Sequence, residues 1–581
     1  LLLHDRAVRS GAQVSPADPR LVELARRLDG LPLALELVAP LLATFSPATV
    51  TERLDRCLET LNGSPDAPRR HRTLRATVDW SFDLLSPAAG RLFGALALFR
   101  DPWSLETAEA VARAVDVDPA EVMDLTTELI DQSLVRVEMP SGGTARYTML
   151  DTIRTYAGEH LRTGGRYDDV ADLHARHFLD LAERAVPHRR GPDEPAWVGE
   201  LHAEFDDLRA AYRRFSDTSR PVEALRLTIA LTHDLLMRER LEIGRWATEL
   251  AALPGLADDP RRAEALGLAA NAAMLENRLD DAVALARDAV AAETDTGAPP
   301  AWTAHNVLAM MTAVGAAAAP AEGAAGLGWS DHLRVMEAVA TTTSDPFPAA
   351  LALWDRAFVA LWTGEADRSE GPATALVALG NRHDNPSMRS MGLLSLGRVA
   401  LAFGDVAKAR ALLQQAHGAA EAARNTLVLD QTRRELANLP TAADGRAAAL
   451  ANLRVVIRNF AESGNVSEQL QTALSIARHL VELDALVPAA VALGVMERTL
   501  LGGAKPYAAL RAEVLGRLTS AQGDEASHSG SRMPLSELAG YLVSVVDDLA
   551  DAAADVNADT GAGATGADPT GEDQAGTSKS K

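Results

Sequence analysis

The chain has 581 residues, of which 47% are apolar, 4% are aromatic and 24% are charged, and its formal net charge is −23. This acidic balance disfavours broad contact with nucleic acid phosphates. The single cysteine, Cys57, excludes an internal disulfide and a site built from several cysteines, which favours a reduced, cytoplasmic protein. The sequence has no run of about 18 apolar residues that would span a bilayer. Because it begins with Leu1 and not Met, we expect a C-terminal portion of a longer protein.

Ala and Leu dominate the composition, and both favour helices. The sequence therefore predicts a mainly α protein in four parts. The predicted parts are a helical segment (1–66), a helix-rich unit with one hairpin (67–163), a long run of helices (164–520), and a C-terminal helix with an acidic tail rich in Ala and Gly (521–581). We expect disorder after Asp551, because that stretch cannot bury enough apolar surface to offset its chain entropy.

The first distinctive turn is the tripeptide Gly30, Leu31 and Pro32. Proline lacks a backbone N–H and suits the first position of a helix, so the tripeptide predicts a helix start at Pro32. Taken alone, this turn is common in proteins without any ligand.

Two helix starts stand out in the second part. Ser86-Pro87 predicts a capped start for the helix that follows. Asp118, followed three residues later by Glu121, predicts a capping box for a helix over 119–132. The aromatic residues at helical spacings in this part predict a common core, and they are Trp80, Phe82, Phe93 and Phe99.

A hairpin is predicted directly after these helices. Residues 134–139 and 144–149 alternate as strands, and Ser141, Gly142 and Gly143 supply the turn between them. A further helix is expected from Asp151. Several helices followed by a β-hairpin are typical of a winged-helix domain.

The third part contains an internal repeat that fits the tetratricopeptide pattern. The best copy covers 396–416, with Gly397 at a close helix approach and Gly404 at the turn between two helices. A second copy covers 269–289, with its turn at Asn277, and weaker copies at irregular spacing surround Gly364 and Gly464. Since no helix pair can bury its own apolar face, these repeats predict an α-solenoid. The Ala-rich stretch 315–328 is predicted to be a loop.

Three stretches resemble bacterial STAND ATPase regulators with an NB-ARC-like module. GLPLALELVA (30–39) resembles the Gly-x-Pro motif of the helical lid. RHRTLRATVDWSFDLLSPAAGRLFGALALF (70–99) and RYTMLDTIRTYAGEHL (146–161) resemble the start and end of the winged helix. A further stretch, 182–214, resembles the beginning of the helical repeats in SARP-type (AfsR-like) activators and large LuxR-type regulators. The resemblance covers about residues 1–215.

The resemblance implies roles for particular residues. Pro32 would lie against the adenine of ATP or ADP, with Gly30 permitting the turn and Leu31 between them. The family's Met-His-Asp motif corresponds to Met149, Leu150 and Asp151 here. Leu150 has no donor, which argues against direct phosphate sensing by that side chain, and Asp151 is expected to be the N-cap of its helix.

The chain lacks a P-loop, because a P-loop needs lysine after glycine and none of the four lysines follows glycine. We expect ATP or ADP to bind the intact parent protein, a slow ATPase switch, and not to bind this chain tightly. No catalytic or metal site is predicted: His174 and His177 are interpreted as a packed or solvated helix face. The acidic pair Asp206-Asp207 is interpreted as helix capping, and Arg189-Arg190 as a solvated pair.

The candidate recognition helix, 119–132, carries Glu121, Asp124, Glu128 and Asp131 and no arginine. We therefore expect the winged helix to transmit nucleotide state, and DNA to be bound only through a domain outside this chain. The leading hypothesis is the sensor and switch portion of a transcriptional regulator, with a protein or small-molecule inducer on the repeats, signal-dependent homo-oligomers and no membrane contact. One alternative is a tetratricopeptide scaffold without a nucleotide or DNA role. Another is the same arrangement driving an upstream catalytic domain.

Overall fold

The computed structural model describes residues 2–16, 18–28, 31–53, 69–139, 144–315, 327–440, 445–499 and 505–562. Within these residues the protein is mainly helical, with one two-stranded hairpin, and the predicted fold class is confirmed. None of the described helices combines the length and apolar character that a bilayer crossing requires. The chain forms two compact units, Leu1–Arg189 with Asp193–Leu231 and Arg190–Pro192 with Thr232–Lys581. The predicted boundary after residue 163 lies inside the first unit, and the four-part division stays a prediction.

The first unit contains the N-terminal helices, the winged helix and the helices that follow it. In chain order its elements are α1 (Leu2–Arg9), α2 (Pro19–Arg27), α3 (Pro32–Val38), α4 (47–53), α5 (Arg69–Asp83), α6 (Pro87–Leu96), α7 (Leu105–Ala112), α8 (Val122–Asp131), β1 (Arg136–Glu138), β2 (Arg146–Thr148), α9 (Asp151–Thr163), α10 (Tyr167–His188), α11 (Glu194–Ala203), α12 (Phe205–Asp217) and α13 (Pro221–Ala230).

The predicted hairpin is confirmed, since β1 pairs antiparallel with β2 and Val137 lies opposite Tyr147. Trp103 extends this small sheet, because it exchanges two backbone hydrogen bonds of 2.9 and 2.8 Å with Tyr147. The predicted turn residues Ser141, Gly142 and Gly143 lie outside the described residues. The second strand of the wing, β2, is therefore tied to the segment between α6 and α7.

The helix starts of the winged helix agree in part with the sequence. The Ser86 side chain accepts a hydrogen bond from the Ala89 N–H at the start of α6, as predicted. The predicted capping box of Asp118 is wrong. A 3-10 turn precedes α8, and within it Asp118 accepts from the N–H of Ala120, only two residues away.

Two aromatic residues on α5 serve different cores. Phe82 packs with the winged helix, with its ring centroid 5.8 Å from that of Phe93. Trp80 is 2% exposed and packs with α1 to α4, where its ring lies 6.4 Å from that of Phe45. Residues two apart on a helix point in nearly opposite directions, about 200° around its axis. The prediction that Trp80 belongs to the winged-helix core is therefore wrong, and Trp80 instead joins the N-terminal helices to α5.

The second unit is a series of helix pairs. In chain order its α-helices are α14 (Thr232–Arg238), α15 (Leu241–Ala251), α16 (Arg262–Leu275), α17 (Leu279–Thr296), α18 (Trp302–Ala313), α19 (Trp329–Thr343), α20 (Pro346–Trp362), α21 (Ala366–Arg382), α22 (Pro386–Ala402), α23 (Val406–Ala422), α24 (Thr426–Ala437), α25 (Gly445–Ser463), α26 (Val466–Glu482), α27 (Leu486–Met496), α28 (Lys505–Arg517), α29 (Ser520–Arg532) and α30 (Leu538–Ala562).

A regular period of 40 residues governs the pairs from α20 to α26, so the predicted irregular spacing is wrong for these pairs. Each pair begins with a residue in the left-handed region followed by a buried or partly buried Asx cap. The left-handed residues are Ser344, Asp384, Arg424 and Gly464, and the caps are Asp345, Asn385, Asn425 and Asn465. Each cap accepts a hydrogen bond from a backbone N–H of its own helix, so the same turn is rebuilt at every step.

The best predicted repeat copy, 396–416, is confirmed in detail. Gly397 lies where α22 meets α23, and a Cβ there would lie 2.8 Å from the side chain of Leu413. Gly404 has a φ of 78° in the turn between these helices. Ala409 and Ala416 are fully buried at the crossing.

The second copy, 269–289, follows the same plan in α16 and α17. Asn277 has a φ of 59° in the turn. Asparagine tolerates this left-handed conformation better than most residues that carry a Cβ. The predicted loop at 315–328 lies largely outside the described residues.

The C-terminal end holds more helix than the sequence predicted. Two helices, α29 and α30, replace the single expected helix, and α30 continues to Ala562. The expectation of disorder after Asp551 stays a prediction. Residues 563–581 lie outside the described residues.

Candidate functional site

The predicted nucleotide-contact residues lie at the start of α3. Leu31 is the N-cap residue and packs partly buried against the N-terminal core. Pro32 is the first helical residue, as predicted, and its side chain is exposed. Gly30 lies outside the described residues. This start leaves Pro32 accessible to a bound molecule.

One carboxylate links α3 to the wing. Glu36 accepts hydrogen bonds from Arg6 Nη2 at 3.2 Å and from Arg136 Nη2 at 2.6 Å. Arg136 lies on β1 directly opposite Thr148 on β2, three residues before Asp151. α3 is thus tied to β1, and the neighbouring strand β2 leads into the segment Met149 to Asp151.

Asp151 itself is the first residue of α9 and not its N-cap, so that prediction is wrong. Leu150 occupies the cap position in an extended conformation. The Asp151 carboxylate is 95% exposed and lies 3.7 Å from Arg154 Nη1. Among the described residues, no hydrogen bond or ion pair joins Asp151 to Leu31 or Pro32. Asp151 stabilises the positive end of the α9 dipole.

Ion pairs neutralise both arginines of the wing strands. Arg136 pairs with Glu36, and Arg146 pairs with Glu204, whose side chain is 3% exposed. Burial raises the pKa of Glu204 to about 7, although Arg146 opposes this effect. Neither arginine is left to contact a phosphate without first breaking its pair.

The surface of the candidate recognition helix is acidic. Glu121, Asp124 and Asp131 are exposed. Glu128 accepts hydrogen bonds from the Ser86 N–H at 2.5 Å and the Ser86 hydroxyl at 2.8 Å, so it holds the start of α6. An acidic face of this kind repels a phosphate backbone.

A reciprocal carboxylate contact joins the winged helix to α12. Asp207 is fully buried and accepts the N–H groups of Arg100 at 2.9 Å and Asp101 at 3.0 Å, with His174 Nε2 2.9 Å away. In return, Asp101 accepts the N–H of Asp206 at 2.8 Å. The expectation that Asp206-Asp207 caps its own helix is wrong for Asp207, because Asp101 supplies that cap.

The remaining sequence candidates are structural. His174 is buried between Asp207 and an aromatic cluster, which confirms a packed face. The expectation of a solvated pair at Arg189-Arg190 is wrong. Arg189 is 2% exposed and donates to the Ala230 carbonyl, and Arg190 lies 2.7 Å from Asp345. The part of the chain that the structure describes holds no group of three or more metal-ligating side chains.

The second unit contains a groove that sequence reasoning did not find. The groove has a volume of about 450 Å³, and its walls come chiefly from the first helices of successive pairs, α16, α18, α20, α22, α24 and α26. A cavity of this size suits a small ligand. We call it the repeat groove.

The repeat groove has one apolar wall and one polar wall. The apolar wall is formed by Met274, Met310, Met311, Trp354, Phe358, Leu361 and Trp362, and the polar wall by Arg398, Gln431, Arg434, Glu435, Glu468 and Arg478. These residues are spread over 205 positions, from 274 to 478. Only the helical stacking brings them together, so no local motif predicts the groove.

Comparison with known proteins supports the winged helix. Residues 85–162 match the winged helix-turn-helix domain family. A provisionally named HTH-type transcriptional regulator of Mycobacterium tuberculosis is 33% identical over 387 residues, which cover 65% of this chain and 42% of that protein. An uncharacterised protein of the same species is 37% identical over 177 residues, or 30% of this chain and 44% of that protein. The chain thus spans less than half the length of these relatives.

Among solved structures, the chain is similar to a STAND protein with a tetratricopeptide repeat sensor from Pyrococcus horikoshii. The alignment covers 94% of this chain and 74% of that chain, with a TM-score of 0.41 and 13% identity.

Proposed function

We propose that this chain is the sensor and switch portion of a transcriptional regulator. Its winged helix transmits the state of a nucleotide-binding core and does not read DNA. The observation that carries this proposal is that Trp80 of α5, the helix directly before residues 85–162, packs among the N-terminal helices. Because Glu36 also pairs with Arg136 of the wing, a movement of α3 would displace β1.

The charge distribution supports the same reading. A DNA-reading winged helix needs cationic groups on its recognition helix or wing. Here α8 presents acids, and both arginines of the wing strands are paired within the unit. DNA contact in the whole protein would then come from another domain, and ligand or partner binding at the repeats would bias an ATP- or ADP-dependent state.

Nucleotide content tests this proposal on the full-length natural gene product. The purified protein is denatured and its released nucleotides are separated by ion exchange. We expect bound ATP or ADP at about one per chain, and about five- to tenfold weaker ADP binding in Pro32→Ala, a loss of about 1 kcal/mol in apolar contact. Pro40→Ala is the matched control, because Pro40 also begins a short helix. A full-length protein that neither retains nor binds nucleotide would favour the scaffold alternative.

DNA binding by this chain is tested separately. We expect no saturable binding to duplex DNA at about 50 mM salt, where electrostatic contacts are strong. Saturable binding that weakens in Arg136→Gln or Arg146→Gln would show that the wing reads DNA, and would overturn the transmitter role.

A further inference from the structure

The apolar wall of the repeat groove contains large apolar side chains that remain partly exposed to solvent. Trp354, Phe358 and Leu361 are only partly buried, and Trp362 is 39% exposed. The rings of Phe358 and Trp362 stack with centroids 6.0 Å apart. Contiguous apolar patches on a soluble domain mark interaction sites.

The methionines on this wall make it adaptable. Met274 and Met310 are partly buried at the ends of α16 and α18, beside the buried Met311. Methionine has flexible rotamers and a polarisable sulfur, so it fits apolar ligands of irregular shape. The apolar wall therefore suits a hydrocarbon or aromatic body without demanding one outline.

The polar wall satisfies its own carboxylates. Glu435 accepts from Arg398 Nε at 3.0 Å, and Glu468 pairs with Arg434. Gln431 joins the two pairs, because its amide donates to Glu468 at 2.8 Å and its oxygen accepts from Arg398 at 3.3 Å. Each of the two carboxylates thus already has an arginine of its own.

Arg478 is the cation left over. Within the described residues it has no hydrogen bond or ion pair, and the nearest opposing influence is Glu435, which Arg398 already holds. Although Arg478 is exposed, partial desolvation lowers the pKa of its guanidinium, but arginine stays charged at neutral pH. The repeat groove therefore carries one net positive charge in a chain whose net charge is −23.

We infer that the repeat groove binds an apolar acid: a hydrocarbon or aromatic body seated on the methionine and tryptophan wall, with a single carboxylate or similar oxyanion held by Arg478. A planar guanidinium matches a carboxylate with two parallel hydrogen bonds. This inference rests on the proposed sensor role of the repeats and names the chemistry of their ligand. Two sources share this chemistry, a free apolar acid and the C-terminal carboxylate of a short apolar peptide.

A matched pair of fluorescent probes tests the inference on this chain. 8-Anilinonaphthalene-1-sulfonate carries one anionic group, and N-phenyl-1-naphthylamine is the same ring system without it. We expect Arg478→Gln to weaken binding of the sulfonate at least about tenfold, because a hydrogen bond to a charged group is lost, and to change binding of the neutral probe less than about twofold. Arg410→Gln is the control, since Arg410 is exposed and lies outside the groove.

Energy transfer locates the probes. Trp354 and Trp362 line the groove, so a bound probe should quench their emission, and the double variant Trp354→Phe/Trp362→Phe should lose most of that transfer. Arg478→Gln should keep the wild-type melting curve, because Arg478 makes no bond that holds the fold. The inference would be overturned by unchanged sulfonate binding in Arg478→Gln or by an equal loss of affinity for both probes in that variant. Energy transfer that survives in the double variant would also overturn it.

Displacement of the sulfonate then separates the two sources. Decanoate is compared with decanol, and acetyl-Leu-Leu-Phe with its C-terminal amide. We expect each acid to displace the probe more strongly than its neutral partner. The acid that displaces the probe at the lower concentration identifies the source. Equal displacement by acid and neutral forms in both pairs would overturn the carboxylate assignment. None of these outcomes depends on nucleotide content, so the inference and the proposed function fail independently.

Discussion

The two units of this protein hold their helices together through contacts of different sequence range. In the first unit, Asp207 accepts the N–H of Arg100 from 107 residues away, and Arg136 reaches Glu36 across 100 residues. In the second unit, the same left-handed residue and Asx cap recur every 40 residues from Ser344 to Asn465. The first unit thus joins distant segments through single buried or half-buried carboxylates, whereas the pairs from α20 to α26 in the second unit repeat one local turn.

This difference predicts how damage spreads. Losing a contact between distant segments loosens every element that it joins, whereas losing one turn of a repeat array affects mainly its neighbours. Each substitution below tests this contrast, and hydrogen exchange of individual amides gives the local free energy of opening.

The largest effect is expected from Asp207→Ala in the first unit. The change removes a buried charged acceptor and leaves the N–H groups of Arg100 and Asp101 without a partner, which we expect to cost about 3–5 kcal/mol. Exchange at the amides of 100–101 and at the start of α12 should accelerate together. Asp206→Ala is the control, because Asp206 is exposed and pairs only at the surface with Arg209. Equal protection of these amides in both variants would show that the Asp207 carboxylate does not stabilise the first unit.

The next effect concerns a distant contact that crosses the repeat pattern. Glu239 is 5% exposed and accepts a hydrogen bond from Asn465, 226 residues away. Burial raises the pKa of Glu239 to about 8, whereas an unfolded glutamate titrates near 4.3. The folded state thus holds its proton more tightly, so the stabilisation is full below about pH 4.3 and is lost as the pH rises through 8.

Glu239→Gln should remove this pH dependence. Between pH 5 and pH 9 the wild-type protein should lose roughly 2–4 kcal/mol of local stability around the start of α26, and the variant should lose much less. The measurement is amide exchange at both pH values, corrected for the intrinsic rate. Glu421→Gln, at an exposed position, should keep the wild-type profile. A variant that retained the wild-type loss would rule out Glu239 as its source.

The same contrast explains which features could be predicted from sequence. The turn at Gly404, the start of α3 at Pro32 and the hairpin after α8 are local, so their residues predict them directly. The contact of Asp207 with Arg100 has no local signal, and Trp80 was assigned to the wrong core because helical spacing does not say which neighbour a face meets. The 40-residue period could have been found from the caps, and its asparagines are Asn385, Asn425 and Asn465.

Neither the repeat groove nor the contact between α3 and the wing could be predicted from the sequence, for the same reason. Arg478 is one of many arginines until stacking places it on the polar wall of the repeat groove, where the carboxylates are paired with other arginines. Glu36 gives no sign in the sequence of its link to Arg136. The resemblance to STAND regulators predicted that α3 and the winged helix belong together; Trp80 of α5 packs among the N-terminal helices, and the role of α3 as a lid stays a prediction.

A smaller effect is expected from Asn425→Ala within the repeats. Asn425 is fully buried, accepts the N–H of Val428 at 3.1 Å and donates to the Ser387 hydroxyl at 3.3 Å. Losing a buried cap should cost about 1–2 kcal/mol, with faster exchange in α23 to α25 and little change in α16 and α17. Asp405→Ala removes an exposed cap of the same type, which accepts a hydrogen bond from the backbone N–H of Lys408. This change should cost about 0.5–1 kcal/mol. Faster exchange throughout the unit would contradict a quasi-one-dimensional array.

The smallest effect is expected at the ion pair between Glu36 and Arg136. Arg136 is 47% exposed and Glu36 is 23% exposed, so solvent screens the pair. A double-mutant cycle with Glu36→Gln and Arg136→Gln should give a coupling of about 0.5 kcal/mol that shrinks in about 0.5 M salt. The apolar core around Trp80 would then hold the N-terminal helices against α5, while the ion pair orients α3 against the wing. A coupling above about 2 kcal/mol, or one insensitive to salt, would mean that this charge contact holds α3 in place.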